Sequence, residues 1–71
     1  MDKFSVVYQQ DGDWWIGYAE EVPGANSQGK TLEEVRENLK EAISLVLEAN
    51  REISRIETKG KKVIREELIL P

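Results

Sequence analysis

Asp11-Gly12 sits between two runs that alternate apolar and polar residues, and few folds of so short a chain are compatible with that arrangement. Upstream, Phe4, Val6 and Tyr8 alternate with Lys3, Ser5, Val7 and Gln9; downstream come Trp14, Trp15, Ile16, Gly17, Tyr18 and Ala19. Aromatic and β-branched residues with period two suit a pleated strand. Asp-Gly suits the two-residue turn between such strands, because a type I′ hairpin needs φ > 0 at both central positions. The pair therefore predicts a hairpin in which Gln10 faces Asp13.

That register sets Tyr8 opposite Trp15, Val6 opposite Gly17 and Phe4 opposite Ala19 on one face of the sheet. Val7 with Ile16, Gln9 with Trp14 and Ser5 with Tyr18 occupy the other. A slip of one residue would exchange the two faces wholesale. Gly17 and Ala19 leave room for a helix, so the first face is expected to be covered. Trp14, Ile16, Tyr18 and Val7 then lie on a face without intramolecular cover. They are the candidate partner or oligomer interface, since interface centres are enriched in tryptophan and tyrosine.

Pro23-Gly24 marks a corner, after which Ala25 to Gln28 reads as a short third strand ended by Gly29. Thr31-Leu32-Glu33-Glu34 fits a capping box, with the threonine hydroxyl accepting from the Glu34 amide and the glutamate reaching back. Leu32, Val35, Leu39, Ala42, Ile43, Val46 and Ala49 follow at intervals of three and four, one apolar stripe of a helix. Glu33, Arg36, Glu37, Lys40, Glu41 and Glu48 line its outer side. The stripe leaves the helix end open between Ala49 and Gly60. Val63, Ile64, Leu68, Ile69 and Leu70 predict a terminal strand, and a right-handed crossover would lay it parallel to an earlier one. The expected architecture is α+β in the order β-β-β-α-β: three antiparallel strands, one long helix on one face and a C-terminal strand, all within one domain over residues 1–71.

At 71 residues with no cysteine and no histidine, the chain has a thin core and lacks both disulfides and the usual zinc ligands. Oligomerisation or a partner protein is the remaining staple, and a dimer or tetramer is expected. The net charge of -4 argues against general affinity for nucleic-acid backbones and favours a basic protein partner. Lys59, Lys61, Lys62 and Arg65, interrupted by Gly60 and followed by Glu66-Glu67, read as a polar loop. Apolar runs are too short to span a membrane, and Asp2 and Lys3 stand where a signal peptide needs apolar residues, so a cytoplasmic location is expected.

Carboxylates deserve weighing as metal ligands. Two-metal chemistry needs acids converging from strand centres and a helix. Asp11 and Asp13 flank a turn, Glu20 and Glu21 fall at a strand end, and the first strand has no acid at its middle. No catalytic residue, metal site or cofactor is expected. Magnesium- or manganese-dependent cleavage, lost on neutralising those four acids, would be required of a nuclease.

The segment Glu21-Val22-Pro23-Gly24-Ala25-Asn26-Ser27-Gln28-Gly29-Lys30-Thr31-Leu32-Glu33-Glu34 resembles the signature of the HicB family of antitoxins. The likeness extends forward through Asn38, Leu39, Lys40, Glu41, Ala42 and Ile43, and back through Asp11-Gly12 and the aromatic strand, about two-thirds of the chain. Glu20 stands where the family often has proline, and Ala25 where cysteine is common. The resemblance implies a partial ribonuclease-H-like fold and a non-enzymatic protein that binds and blocks a small basic RNA-cleaving toxin of the HicA type. Many such proteins add a C-terminal DNA-binding segment; only Pro71 follows Leu70 here, so no separate DNA-binding domain and no direct nucleic-acid contact are expected. The alternative is an orphan structural or regulatory oligomeric module without a toxin partner.

Overall fold

A computed structural model describes residues 3–71 of the chain. Its elements are β1 (Val6–Asp11), β2 (Trp14–Ala19), β3 (Asn26–Gly29) and α1 (Leu32–Thr58). The strands form one antiparallel sheet in the order β1-β2-β3, with α1 against one face. The α+β class, the three-stranded sheet and the single long helix all match expectation.

The hairpin differs from the expected one by two residues. Asp11 pairs with Trp14, so the turn residues are Gly12 and Asp13, and Tyr8 faces Gly17, Val6 faces Ala19 and Val7 faces Tyr18. Gly12 has φ of +62°, and among the described residues no non-glycine residue has positive φ. A glycine alone in the first turn position is the signature of a type II′ turn, whereas Asp-Gly in type I′ would have forced the aspartate to positive φ. Because the displacement is even, every side chain keeps its face.

At the far end of the hairpin, Val22 accepts from Ala25 (3.0 Å) across Pro23-Gly24, with Gly24 at φ +89°. Proline followed by a positive-φ glycine is the pattern of a type II turn. The turn folds β3 back onto β2 in the register Tyr18 to Asn26 and Trp15 to Gly29. Ala19, Val22 and Ala25 are buried there, with Phe4, Ile43, Val46 and Leu47 packed around them. Above the sheet centre Val35 and Leu39 are fully buried.

Gly29, read in sequence as a strand breaker, is where helix and sheet touch most closely. A Cβ there would lie 2.9 Å from the Val35 nitrogen and 3.1 Å from Glu34 Cγ; at Gly17 it would lie 3.1 Å from Val35 Cγ2. Thr31 caps α1 as expected, its Oγ1 accepting from the Glu34 amide at 3.0 Å. The return bond of a capping box is absent among the described residues, because the Glu34 side chain lies over Gly29 instead.

The helix ends at Thr58, with the Lys59 amide donating to the Ile56 carbonyl and Gly60 at φ +77° just beyond it. Its 27 residues span about 40 Å at 1.5 Å per residue, twice the roughly 20 Å of a six-residue strand. Ala49, expected in the buried stripe, is exposed because α1 has by then run past the sheet. The expected fourth strand is also missing: residues 62–71 are irregular and exposed, tied back where Arg65 donates to Ser54 Oγ (3.3 Å) and Thr58 Oγ1 (2.7 Å). A strand pattern forms a strand only beside a partner edge, and this segment meets none. Among the described residues no helix is long and apolar enough to cross a membrane.

Candidate functional site

Alternation along β2 sends Trp15, Gly17 and Ala19 toward α1 and Trp14, Ile16 and Tyr18 away from it. Trp14 retains 44% of its surface, Tyr18 42% and Ile16 37%, whereas Trp15 is half-buried. Val7, half-buried, pairs with Tyr18 rather than with the expected Ile16, on this same face. All four anticipated interface residues therefore sit together on the helix-free side of the sheet. Gln9 and Gln28 flank Ile16, and Asn26 flanks Tyr18, giving an apolar stripe with a polar rim.

Ile16, Asn26, Ser27 and Gln28 line a shallow depression beside the stripe. At its other end the Lys30 ammonium stands 5.8 Å from the centroid of the Trp14 ring. An ammonium over an indole face contributes about 0.5–1 kcal/mol at an exposed site, enough to bias the ring's orientation. Nothing in the sequence marks Lys30 for this role, since the contact depends on how β3 leaves the sheet.

A second polar contact missed in sequence comes from Asn38, whose Nδ2 donates to the Gln28 carbonyl at 3.1 Å. Ile16 bonds across to β1, so Gln28 opposite it points its backbone groups outward; Asn38 thus occupies part of the free edge of β3. Among the described residues the edge of β1 has no such cover. Glu20 donates to the Ser5 carbonyl at 2.9 Å, and alternation from that pair turns the backbone groups of Val6, Tyr8 and Gln10 outward.

The four weighed carboxylates are not brought together. Asp11 and Asp13 lie at the hairpin turn, Glu20 and Glu21 at the opposite end of β2, about 20 Å away at the rise of a six-residue strand. Among the described residues no group of three or more metal-ligating side chains converges. Glu21 instead accepts from the Ser5 amide at 2.7 Å, and that hydrogen bond holds its carboxyl below the usual value of 4.5. The bond pins the start of β1 to the corner.

Comparison with known sequences gives a consistent set of relatives. The chain is 35% identical over 63 residues to a UPF0150 protein of Archaeoglobus fulgidus, covering 87% of this chain and 91% of that protein. It is 38% identical over 64 residues to a UPF0150 protein of Synechocystis, covering 87% and 83%. A UPF0150 protein of Thermotoga maritima is 44% identical over 43 residues, 61% of this chain and 57% of the relative. No family model and no solved structure matches. Identity sustained over nearly the full length of the archaeal and cyanobacterial proteins shows that the chain belongs to the UPF0150 family.

Proposed function

We propose that this chain is a non-enzymatic protein-binding module of the antitoxin type: it neutralises a small, basic, RNA-cleaving toxin by covering it. The observation that carries the reading is the exposed stripe of Trp14, Ile16 and Tyr18, with Val7, on a sheet face that no element among the described residues covers. Aromatic residues within a polar rim are the composition of a binding centre. The acidic balance suits a basic partner and would speed its encounter. The Glu21 to Glu34 segment supports the same reading through its likeness to HicB antitoxins. On this reading the three strands and helix are the greater part of a ribonuclease-H-like arrangement that a strand from Val63 to Leu70 completes, and the protein acts in the cytoplasm.

The test is co-expression with the product of the adjacent reading frame. A stable complex and restored growth are expected, both lost in Trp14→Ala/Tyr18→Ala with the fold intact by circular dichroism. Absence of complex and of rescue refutes the proposal. The unpartnered C-terminal segment favours a second reading, an oligomeric module without a toxin, for which self-association persists while no neighbouring product binds.

A further inference from the structure

The chain is more spread out than a compact domain of its length. Its radius of gyration is 15.5 Å, against about 11 Å for a compact domain of this length. The excess lies in an arm made of the end of α1 and the tail. Leu47 is the last helical residue at the core, so Glu48 to Thr58 carries the helix about 16 Å past the sheet. Along this arm Ile53, Ile56, Val63, Ile64, Leu68, Ile69 and Leu70 are exposed, the tail's Ile64, Leu68 and Ile69 at 86–87%.

We infer that two copies of this chain exchange arms: Val63 to Leu70 of each adds as a fourth strand along β1 of the other, with the basic stretch 50–65 of one copy over the acidic sheet-and-helix body of its partner. Three independent observations meet in this arrangement. The tail has the composition of a strand and no edge to pair with, while the outward groups of Val6, Tyr8 and Gln10 form an edge with no strand. Charge is divided along the chain: residues 3–49 hold nine carboxylates and four basic side chains, residues 50–65 six basic side chains and two carboxylates, and residues 66–71 two further carboxylates. A two-fold pairing sets each basic stretch 50–65 on a negative body.

The third observation is reach. Arg65 is held level with Ser54 by its bonds to Ser54 and Thr58, still about 10 Å of helix beyond Leu47. A return to the chain's own β1 would spend much of the tail in transit and leave Val63 and Ile64 unpaired. A partner reached in the direction of the arm can use the whole segment. The exchange leaves the stripe of Trp14, Ile16 and Tyr18 open in both copies. It stands or falls separately from the toxin-binding proposal.

The experiment is isotope-filtered nuclear magnetic resonance on the unmodified chain, with copies carrying one label mixed with copies carrying another, alongside sedimentation equilibrium. We expect a dimer, contacts between the tail of one copy and Val6, Tyr8 and Gln10 of the other, and tail amides whose exchange protection rises with concentration. Arg51→Glu/Arg55→Glu is expected to weaken the dimer at least tenfold, and a chain ending at Lys62 at least a hundredfold. A monomer at 0.5 mM (about the working concentration of such spectra), tail-to-β1 contacts within one copy, or a dimer lacking those contacts each overturns the inference. Unchanged dimerisation in the arginine variant overturns the arm-on-body orientation.

Discussion

Replacing Gly29 by alanine tests how closely α1 is seated on the sheet. The new methyl would lie 2.9 Å from the backbone nitrogen of Val35 and 3.1 to 3.2 Å from two carbons of Glu34. The glutamate can swing away, but the Val35 nitrogen belongs to the first turn of α1 and donates to the Thr31 carbonyl at 3.1 Å. Either the helix lifts, loosening Val35 and Leu39 from the core, or β3 bends away from β2. Overpacking of this kind costs about 1–3 kcal/mol. In a domain of this size each kcal/mol lowers Tm by roughly 4–8 °C, so a fall between about 5 and 20 °C is expected in a far-ultraviolet circular dichroism melt. Concentration must be held fixed, because association would itself move Tm. Gly60→Asn is the control: its φ is +77°, a Cβ there meets nothing within 4 Å, and asparagine tolerates the conformation. A Tm for Gly29→Ala within 2 °C of wild type (about the resolution of a melt) would refute the reasoning. So would full recovery on adding Glu34→Ala, since that removes the flexible neighbour and leaves the backbone one.

Leu39→Ala, at a fully buried position, is expected to cost about 2–5 kcal/mol by urea denaturation, the range for leucine truncation in a core that collapses incompletely. Trp15→Ala should cost about 2 kcal/mol as a half-buried ring, while Trp14→Ala costs about 1 kcal/mol or less with its Lys30 contact and instead weakens partner binding; paired melts and pull-downs in the opposite order would reverse the assignment of faces. The Glu21 carboxyl titrates below its unfolded value of 4.5, so its bond to the Ser5 amide stabilises the fold above that pH and is lost as pH falls through the lower native value. Glu21→Gln should therefore be less stable than wild type at pH 7 and lose less on acidification to pH 3, about the foot of carboxylate titration; equal acid slopes in the two proteins would remove the link.

The two faces of the sheet were legible in the sequence because period-two alternation is a property of the strand itself. The turn was less so. Asp11-Gly12-Asp13 offers a glycine as either second or first residue of a two-residue turn, and only the pairing beyond it decides. The displacement by two moved Val7 from Ile16 to Tyr18 yet left Trp14, Ile16, Tyr18 and Val7 on the open face. Thr31, Pro23-Gly24 and Gly60 each announced a local event through their own backbone chemistry. Gly29, Asn38 and Lys30 did not, since their roles are contacts with α1, the β3 edge and the Trp14 ring. The predicted terminal strand is not formed in the single chain for a related reason: Val63 to Leu70 carries the pattern of a strand, but a pattern names no partner.

The length of α1 also means that one helix belongs to two cooperative units. From Val35 to Leu47 its amides are locked by the core and should exchange with solvent only when the whole domain opens. From Glu48 to Thr58 the same ladder of bonds in a lone copy has water on nearly every side, and eleven residues are too few to stay helical unaided. The distal turns persist because the seated half spares them the cost of nucleation, and they should fray inward from Lys59 in steps. Exchange measured residue by residue would then show a slope along a single unbroken helix, with its break where Leu47 leaves the core.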